Sequence, residues 1–525
     1  MNITSPSVFK MLIKRKLFKK WQLLRCIKYC FVHTNKTKWQ SVVGLEIHAQ
    51  INSKSKLFSD ASTDFAGYVN SNTSLFDAAI PGTLPVLNKQ CVKAGVLTAL
   101  ALNCQINSIS MFDRKHYFYS DLPAGYQITQ QHLPLASSGH LEFQVFNPSI
   151  HKIPYSTKVR LKQLQLEQDS GRSLHAEDVS LVNLNRAGIP LMELVFEPDL
   201  KDGEEAAALV KELLIILKRL NTCSCKMEEG SLRVDANVSV NRVGEPIGTR
   251  TEIKNIGSIR GVASAVTYEI QRQIDTINAG GSVTNETRAW NAVHKTTVGM
   301  RDKEEKQDYR YMPEPNLPPL YVALNSLQRG CVNVEELKVT LPELPHQTRK
   351  HLMDKYGLTP VQAIILVNEN DLLELFTSVK SKDTETDYCL VANIIINDFL
   401  SLVHKYEMEL ENVPFRGEHL GEIVELLQGR IINKNTAKLV IQEILNGSKE
   451  MPKSIIKEKN WTLMTNKELE TLCNEVIEEN SKIVKQYKAG KTKVFAALLG
   501  KIANKSNQRA DMKKADSILK QLLKK

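Results

Sequence analysis

The chain is expected to be an α+β protein, with a large β-rich domain ahead of an all-helical half. Three observations carry that expectation. Polar and apolar residues alternate at strand spacing in several short runs before residue 330. Stretches with i, i+3, i+4 apolar spacing interrupt those runs as discrete helices. From about Val332 the strand signals fade and amphipathic helices rich in Lys and Glu take over. At 525 residues the chain exceeds one ordinary core, so two to four domains are expected. The expected division is 1–40, 41–330, 331–406 and 407–525.

The first forty residues carry Lys10, Lys14, Arg15, Lys16, Lys19, Lys20, Arg25, Lys28, Lys36 and Lys38, and the first acid is Glu46. Leu12, Ile13, Leu17, Phe18, Trp21, Leu23 and Leu24 lie between the cations. This reads as a mitochondrial presequence, with a disordered basic arm as the plainer alternative. The formal net charge of +11 is largely this segment, and the remainder is close to neutral. Whole-chain charge is therefore weak support for a nucleic-acid partner. No stretch of about 20 apolar residues suggests a membrane span. Nine cysteines without a regular framework fit free thiols.

Strands are expected at Ser41 to Ile51, Val159 to Leu166, Leu232 to Val240 and Gly248 to Ile253. Helices are expected at Asn88 to Leu102, Gly203 to Leu220 and Ser258 to Asn278, the last closed by Gly280-Gly281. Pro313 to Pro319 reads as an extended exit, and Leu341-Pro-Glu-Leu-Pro345 opens the helical half.

In a strand, residues i and i+2 share a face. That puts Glu46 with His48, Gln163 and Gln165 with Glu167 and Asp169, Arg233 with Asp235 and Asn237, and Arg250 with Glu252 and Lys254. Glu193 sits in the otherwise apolar Gly188-Ile-Pro-Leu-Met-Glu-Leu-Val195, where an acid must be paired, metal-bound or protonated. Each acid alone could be an ordinary salt-bridged residue. Several acids with one histidine point to an enzyme and to a Mg2+ site for phosphoryl chemistry. Three other features are set aside. Gly490-Lys491-Thr492 lacks the earlier glycine of a phosphate loop, Lys485 standing there. Ser137-Ser138-Gly139 lacks the glycine-rich surround of an amidase and is assigned to a loop. Cys223-Ser-Cys225 has no second Cys or His pair nearby to complete a metal site.

Long strings then become recognisable. Val43-Gly-Leu-Glu-Ile-His48, Phe112-Asp-Arg-Lys-His-Tyr-Phe-Tyr119, Asp121-Leu-Pro-Ala-Gly-Tyr-Gln-Ile-Thr-Gln130 and Asn185-Arg-Ala-Gly-Ile-Pro-Leu-Met-Glu193 come in that order. They are followed by Met227-Glu-Glu-Gly-Ser-Leu-Arg-Val-Asp-Ala-Asn-Val238, Thr249-Arg-Thr-Glu-Ile-Lys-Asn-Ile-Gly257 and Asp308-Tyr-Arg-Tyr-Met-Pro-Glu-Pro315. Together they resemble the B subunits of glutamyl-tRNA(Gln) amidotransferases over about residues 41 to 320. With the basic N-terminus, the resemblance is to the mitochondrial form.

The resemblance implies a cradle-type catalytic domain at 41–330, a helical domain at 331–406 and a tRNA-binding helical tail at 407–525. It implies ATP and Mg2+ as cofactors. It implies phosphorylation of the glutamate side chain on misacylated Glu-tRNA(Gln), then amidation by ammonia channelled from a glutaminase A subunit. A small C subunit would bridge the two, in the mitochondrial matrix. The family's metal and catalytic positions fall on Glu46, His48, Glu167, Glu193 and Glu252. Arg233 and Lys254 are candidates for phosphate contacts, and Asp235 and Asn237 for orienting metal or water, in an ATP-binding role; Arg233 could equally be a structural ion-pair partner. Asp121 and Tyr126 are candidates for shaping the substrate pocket. Lys488, Lys491, Lys493, Lys501 and Lys505 are candidates for tRNA contact, although solvated helix faces often carry such lysines. Two departures stand out. Ser and Ala occupy the Leu57–Thr63 and Asn72–Pro81 region where many bacterial relatives carry zinc-binding cysteines, so no zinc is expected. The usual Glu-Glu-Asp-Ala-Gly reads Glu167-Gln168-Asp169-Ser170-Gly171, one negative charge fewer.

Overall fold

The computed structural model describes residues 39–176, 178–300, 309–325, 330–379, 386–488 and 494–524. The basic N-terminal segment, Asp308, Lys491, Lys493 and the Gly490-Lys491-Thr492 string lie outside the described residues. The chain divides into two compact units, up to His346 and from Gln347.

In chain order the first unit's strands begin with β1 (Trp39–Gln50), β2 (Gln105–Ile106), β3 (Ile109–Ser110), β4 (Asp113–His116), β5 (Tyr126–Thr129) and β6 (Ala136–Val145). Next come β7 (Tyr155–Gln168), β8 (Arg172–Ala176), β9 (Val179–Asn183), β10 (Pro190–Phe196) and β11 (Leu232–Arg242). The last are β12 (Thr251–Lys254), β13 (Thr287–Asn291), β14 (Thr296–Gly299), β15 (Arg310–Pro313), β16 (Leu320–Ala323) and β17 (Val332–Asn333). Nine of them make one sheet in the order β14-β13-β12-β11-β1-β10-β7-β6-β2. The first strand of the chain is thus central, antiparallel to β10 on one side and to β11 on the other.

Alternation explains why these segments pair as they do. Leu45, Ile47, Leu164, Leu166, Met192, Leu194, Val234, Ala236 and Ile253 are buried on one face. They share a core with the apolar sides of the helices Lys89–Ala101, Gly203–Arg219 and Ile259–Asn278. Removing that face from water drives the sheet and helices together. Each helix starts where a side chain can cap it. Asn88 accepts from the Gln90 N–H, Asp202 from the Glu205 N–H and Ser258 from the Gly261 N–H. At Gly280, φ is +82°, the left-handed turn that glycine tolerates after a helix.

A second, three-stranded sheet (β15-β4-β5) is stitched to the polar side of β7. Gln127 Nε2 donates to the Gln168 carbonyl at 2.6 Å, Gln165 Nε2 to Thr129 Oγ1 at 3.2 Å, and the Leu166 N–H to Gln130 Oε1 at 3.0 Å. The β8–β9 hairpin is a separate two-stranded sheet.

The loop assignment of one string is corrected. Ser137-Ser138-Gly139 lies in β6, where Ser137 pairs with Gln163 and Gly139 with Leu161. Lacking an amidase's glycine-rich surround does not make the string a loop, because pairing with the long β7 overrides local propensity. Gly139 is needed there because a β-carbon would fall 2.4 Å from Cys104 Sγ and 2.9 Å from the Leu102 carbonyl oxygen.

Among its described residues, the second unit's regular elements are all helices. One core runs from Leu352 to Ile456, and a second from Leu469 to Leu523. The division expected at 406/407 therefore falls inside the first core. Phe415, Leu420 and Ile423 beyond it pack with Phe399, Leu402 and Val403 before it.

Candidate active site: an acid–histidine cluster on the polar sheet face

Directly paired residues of an antiparallel sheet project to the same side. His48 is paired with Glu193 and with Arg233, Glu46 with Asp235, Glu193 with Gln165, and Asn237 with Glu252. The polar positions of five strands thus form one surface opposite the helices.

At its centre, ligating atoms of His48, Glu167 and Glu193 lie within 4.8 Å of one another. His48 Nε2 is 3.9 Å from Glu167 Oε1 and 3.8 Å from Glu193 Oε1. Glu167 is 3 % exposed, and its Oε2 has no hydrogen-bond partner in the chain. Burial, reinforced by the charge of Glu193, raises its pKa to about 7. Burial also raises Glu193, with Lys115 opposing and Glu46 adding to the shift. Burial lowers the pKa of His48, against the pull of Glu167. A neutral imidazole and two crowded carboxylates form a donor set that a divalent cation would satisfy. A buried carboxylate oxygen with no partner is a polar debt of the kind that ligation removes. Among the described residues, this is the one group of three or more His, Cys, Asp or Glu donors at ligating distance.

The other sequence candidates surround the trio without joining it. Glu46 Oε1 accepts from Asn237 Nδ2 at 2.9 Å. Asp235 Oδ2 holds Lys254 Nζ at 3.0 Å, and Glu252 Oε1 is 3.2 Å from the same ammonium. Burial alone would lower Lys254, but these two carboxylates outweigh it and the net shift is upward. Glu252 Oε2 also accepts from Thr287 Oγ1 at 3.0 Å. The strand of Glu252 is three spacings from that of Glu193, roughly 14 Å, which separates it from the trio. Arg233 Nη2 is 3.1 Å from Asp169, while its buried Nε has no hydrogen-bond partner. Asp121 accepts from Ser173 Oγ at 3.0 Å, and Tyr126 lies 4.3 Å beneath the Arg114 guanidinium.

Residue-by-residue reading did not single out Lys115. Burial would lower its pKa, but Glu167 and Glu193 outweigh that and the net shift is upward. Its ammonium also lies 4.7 Å from the centre of the Tyr309 ring. Lys115 and Tyr311 are paired across β4 and β15. The signal was available in the Phe112–Tyr119 string, whose alternation places Lys115 on one strand face, but nothing local says which sheet that face covers. Gln165, in the sequence only one polar position among several on its strand face, donates from Nε2 to Glu193 Oε2 at 2.7 Å and orients that carboxylate.

A family model described as the GatB/GatE catalytic domain matches residues 41–328, and one described as the GatB domain matches residues 374–523. The B subunit of the mitochondrial glutamyl-tRNA(Gln) amidotransferase of Aedes aegypti is 53 % identical over 498 residues, 94 % of each chain. The chain belongs to the family of amidotransferase B subunits. Its Homo sapiens relative, named as the mitochondrial form, is 46 % identical over 93 % of this chain and 89 % of that one. A Rickettsia typhi relative, named as the B subunit of an aspartyl/glutamyl-tRNA(Asn/Gln) amidotransferase, is 41 % identical over 94 % of this chain and 99 % of its own.

Two regions singled out on family grounds also have a definite structure. In the Leu57–Pro81 stretch, Asp77 Oδ2 forms a buried pair with the preceding Lys56 Nζ at 3.0 Å, and Ser59 Oγ donates to the same carboxylate at 3.1 Å. In the tail, Lys488 ends the helix Ser481–Lys488 and Lys501 is exposed on the helix Phe495–Lys505. Lys505 differs, since its ammonium lies 3.1 Å from Glu475 and 2.6 Å from Glu479. Cys223 and Cys225 are buried thiols, as the other described cysteines are free thiols.

Proposed function

We propose that this chain is the ATP-dependent, carboxylate-activating subunit of a mitochondrial Glu-tRNA(Gln) amidotransferase. The observation that carries the reading is the His48–Glu167–Glu193 trio beside the Lys115 ammonium. A carboxylate is a poor electrophile because attack would have to expel oxide. Transfer of the γ-phosphoryl group of ATP to the glutamate side-chain oxygen releases ADP and leaves an acyl phosphate. Ammonia then attacks the acyl carbon, the C–O bond to phosphate breaks, and a proton leaves the nitrogen, giving the amide and inorganic phosphate.

His48, Glu167 and Glu193 would hold Mg2+, whose charge offsets that of phosphate oxygens. The remaining roles belong to side chains. Gln165 fixes the rotamer of Glu193. Lys115 presents a fixed positive charge to an incoming carboxylate or phosphate. Arg233 holds Asp169 at 3.1 Å and keeps about a third of its side chain open to solvent, which leaves it a candidate for a phosphate contact. Lys254 is committed to Asp235 and Glu252, so its part is to hold β11 and β12 in register. Ammonia would come from glutamine hydrolysed by an A subunit, with a small C subunit completing the assembly. The matrix is the compartment the basic N-terminus suits. Lys488 and Lys501 are the described tail lysines we assign to the tRNA backbone.

Reconstitution with the A and C subunits tests this. Conversion of Glu-tRNA(Gln) is expected to require Mg-ATP and either glutamine or ammonium. Glu193→Gln is expected to abolish conversion by either nitrogen source while the partner still hydrolyses glutamine. Full conversion by that variant would remove the trio from the reaction.

A further inference from the structure

One row of aromatic side chains leads away from the acid cluster to the surface. It starts at Lys115, whose ammonium lies 4.7 Å from the centre of the Tyr309 ring. Tyr309 meets Tyr117 at 5.8 Å between ring centres, and Tyr117 meets Tyr119 at 5.6 Å in an edge-to-face arrangement. The inner part of this row is fixed. Tyr117 donates to Gln127 Oε1 at 3.1 Å, and Gln127 in turn bonds the Gln168 carbonyl beside Glu167. The outer ring, Tyr119, is 58 % exposed while its backbone carbonyl accepts from the Leu122 N–H at 3.0 Å. A preorganised aromatic ring open to solvent at the rim of a charged site is what a nucleobase stacks on.

The span fits a particular ligand. Contacts of 4.7, 5.8 and 5.6 Å link the Lys115 ammonium through Tyr309 and Tyr117 to Tyr119, so the ammonium and the outer ring lie no more than about 16 Å apart. In an aminoacylated RNA, the side-chain carboxyl carbon of a glutamyl ester is about ten covalent bonds from the terminal base, a zig-zag reach of roughly 12 Å at ~1.5 Å per bond. The ledge also continues past the point where a mononucleotide would end. Ser120 Oγ lies 2.9 Å from Ser173 Oγ, and Ser173 donates to Asp121 at 3.0 Å, so the rim joins the β8–β9 hairpin. That hairpin presents exposed Arg172 and His175 to whatever polymer follows the base.

We propose that Tyr119, backed by Tyr117, stacks the base of the RNA's 3′-terminal nucleotide while the amino acid esterified to it reaches the acid cluster. The inference rests on the tRNA-amidation reading above and adds the subsite that measures the distance from base to carboxylate.

The test uses the complete reconstituted complex with Tyr119→Ala and Tyr119→Phe. The KM for Glu-tRNA(Gln) and for ATP is measured, with inhibition by uncharged tRNA(Gln) and by the same RNA lacking its 3′-terminal nucleotide. Tyr119→Ala is expected to weaken both the charged substrate and the intact uncharged RNA roughly tenfold. It should leave the shortened RNA and the KM for ATP within about twofold, and Tyr119→Phe should restore wild-type values. Equal weakening of intact and shortened RNA overturns the proposal, as does no change in either. A raised KM for ATP assigns the ring to the nucleotide instead, and loss of assembly by sedimentation assigns it to a contact with another subunit; both overturn it. A wild-type complex that cannot amidate Glu-tRNA(Gln) would instead sink the functional reading itself.

Discussion

Glu167 makes the trio testable without any substrate. Its folded pKa of about 7 exceeds the ordinary 4.5, so the native state binds this proton more tightly than the unfolded chain does. The group's stabilising contribution is complete below about pH 4.5 and is lost as pH rises through about 7. The loss is on the order of 3 kcal/mol over that window. In a chelator-containing buffer, Glu167→Gln should therefore gain stability relative to wild type as pH rises from 4.5 to 8. Melting curves of the two proteins that stay parallel across this range would contradict the assigned burial. Added Mg2+ should stabilise wild type more at pH 8 than at pH 6, because ligation competes with that proton. The same increment should be much smaller in Glu167→Gln.

At the scale of elements, a single close approach locks two helices under the sheet. A β-carbon at Gly203 would fall 2.2 Å from the Ala263 carbonyl oxygen and 2.6 Å from Thr267 Oγ1. Backbone cannot yield as a flexible side chain does, so Gly203→Ala should destabilise the protein by about 1–3 kcal/mol. Chemical denaturation checks this, and a variant as stable as wild type would mean the helices can slide apart freely. This scale also shows how much was legible beforehand. Alternation in Arg233-x-Asp235-x-Asn237 and in Glu46-x-His48 appears directly in the burial pattern of β11 and β1. The helix starts were legible for the same local reason, since Asn88 and Ser258 are good caps. Strand neighbours were not. Nothing near Glu252 tells that two strands separate it from β10, and nothing near Lys115 tells that its strand covers Glu167. Such facts depend on pairings between distant segments, which local periodicity does not encode.

For the whole molecule, the tail offers a prediction in which charge pairing decides. Lys505 is engaged by Glu475 and Glu479, whereas no such bridge is seen for Lys488 or Lys501 among the described residues. The double variant Lys488→Glu, Lys501→Glu should weaken tRNA binding and reduce the slope of log affinity against log salt by up to about 2. ATP affinity should not change, and Lys505→Ala should have the smaller effect on tRNA. Filter binding at several salt concentrations decides, and an unchanged slope would take these lysines off the RNA path.

The position of β1 in the sheet has a consequence for biogenesis. Glu46 is hydrogen-bonded to a partner 191 residues later. At about 5–20 residues per second, a ribosome needs roughly 10–40 s to deliver that partner. Until β10 is made the nascent segment exposes Leu45 and Ile47 with both of its edges open, and until β11 follows one edge stays open, which makes it a client for chaperones. Arrested chains ending near residue 220 should remain cleavable by protease between Trp39 and Gln50. Those extended enough to release Arg242 from the exit tunnel should become resistant.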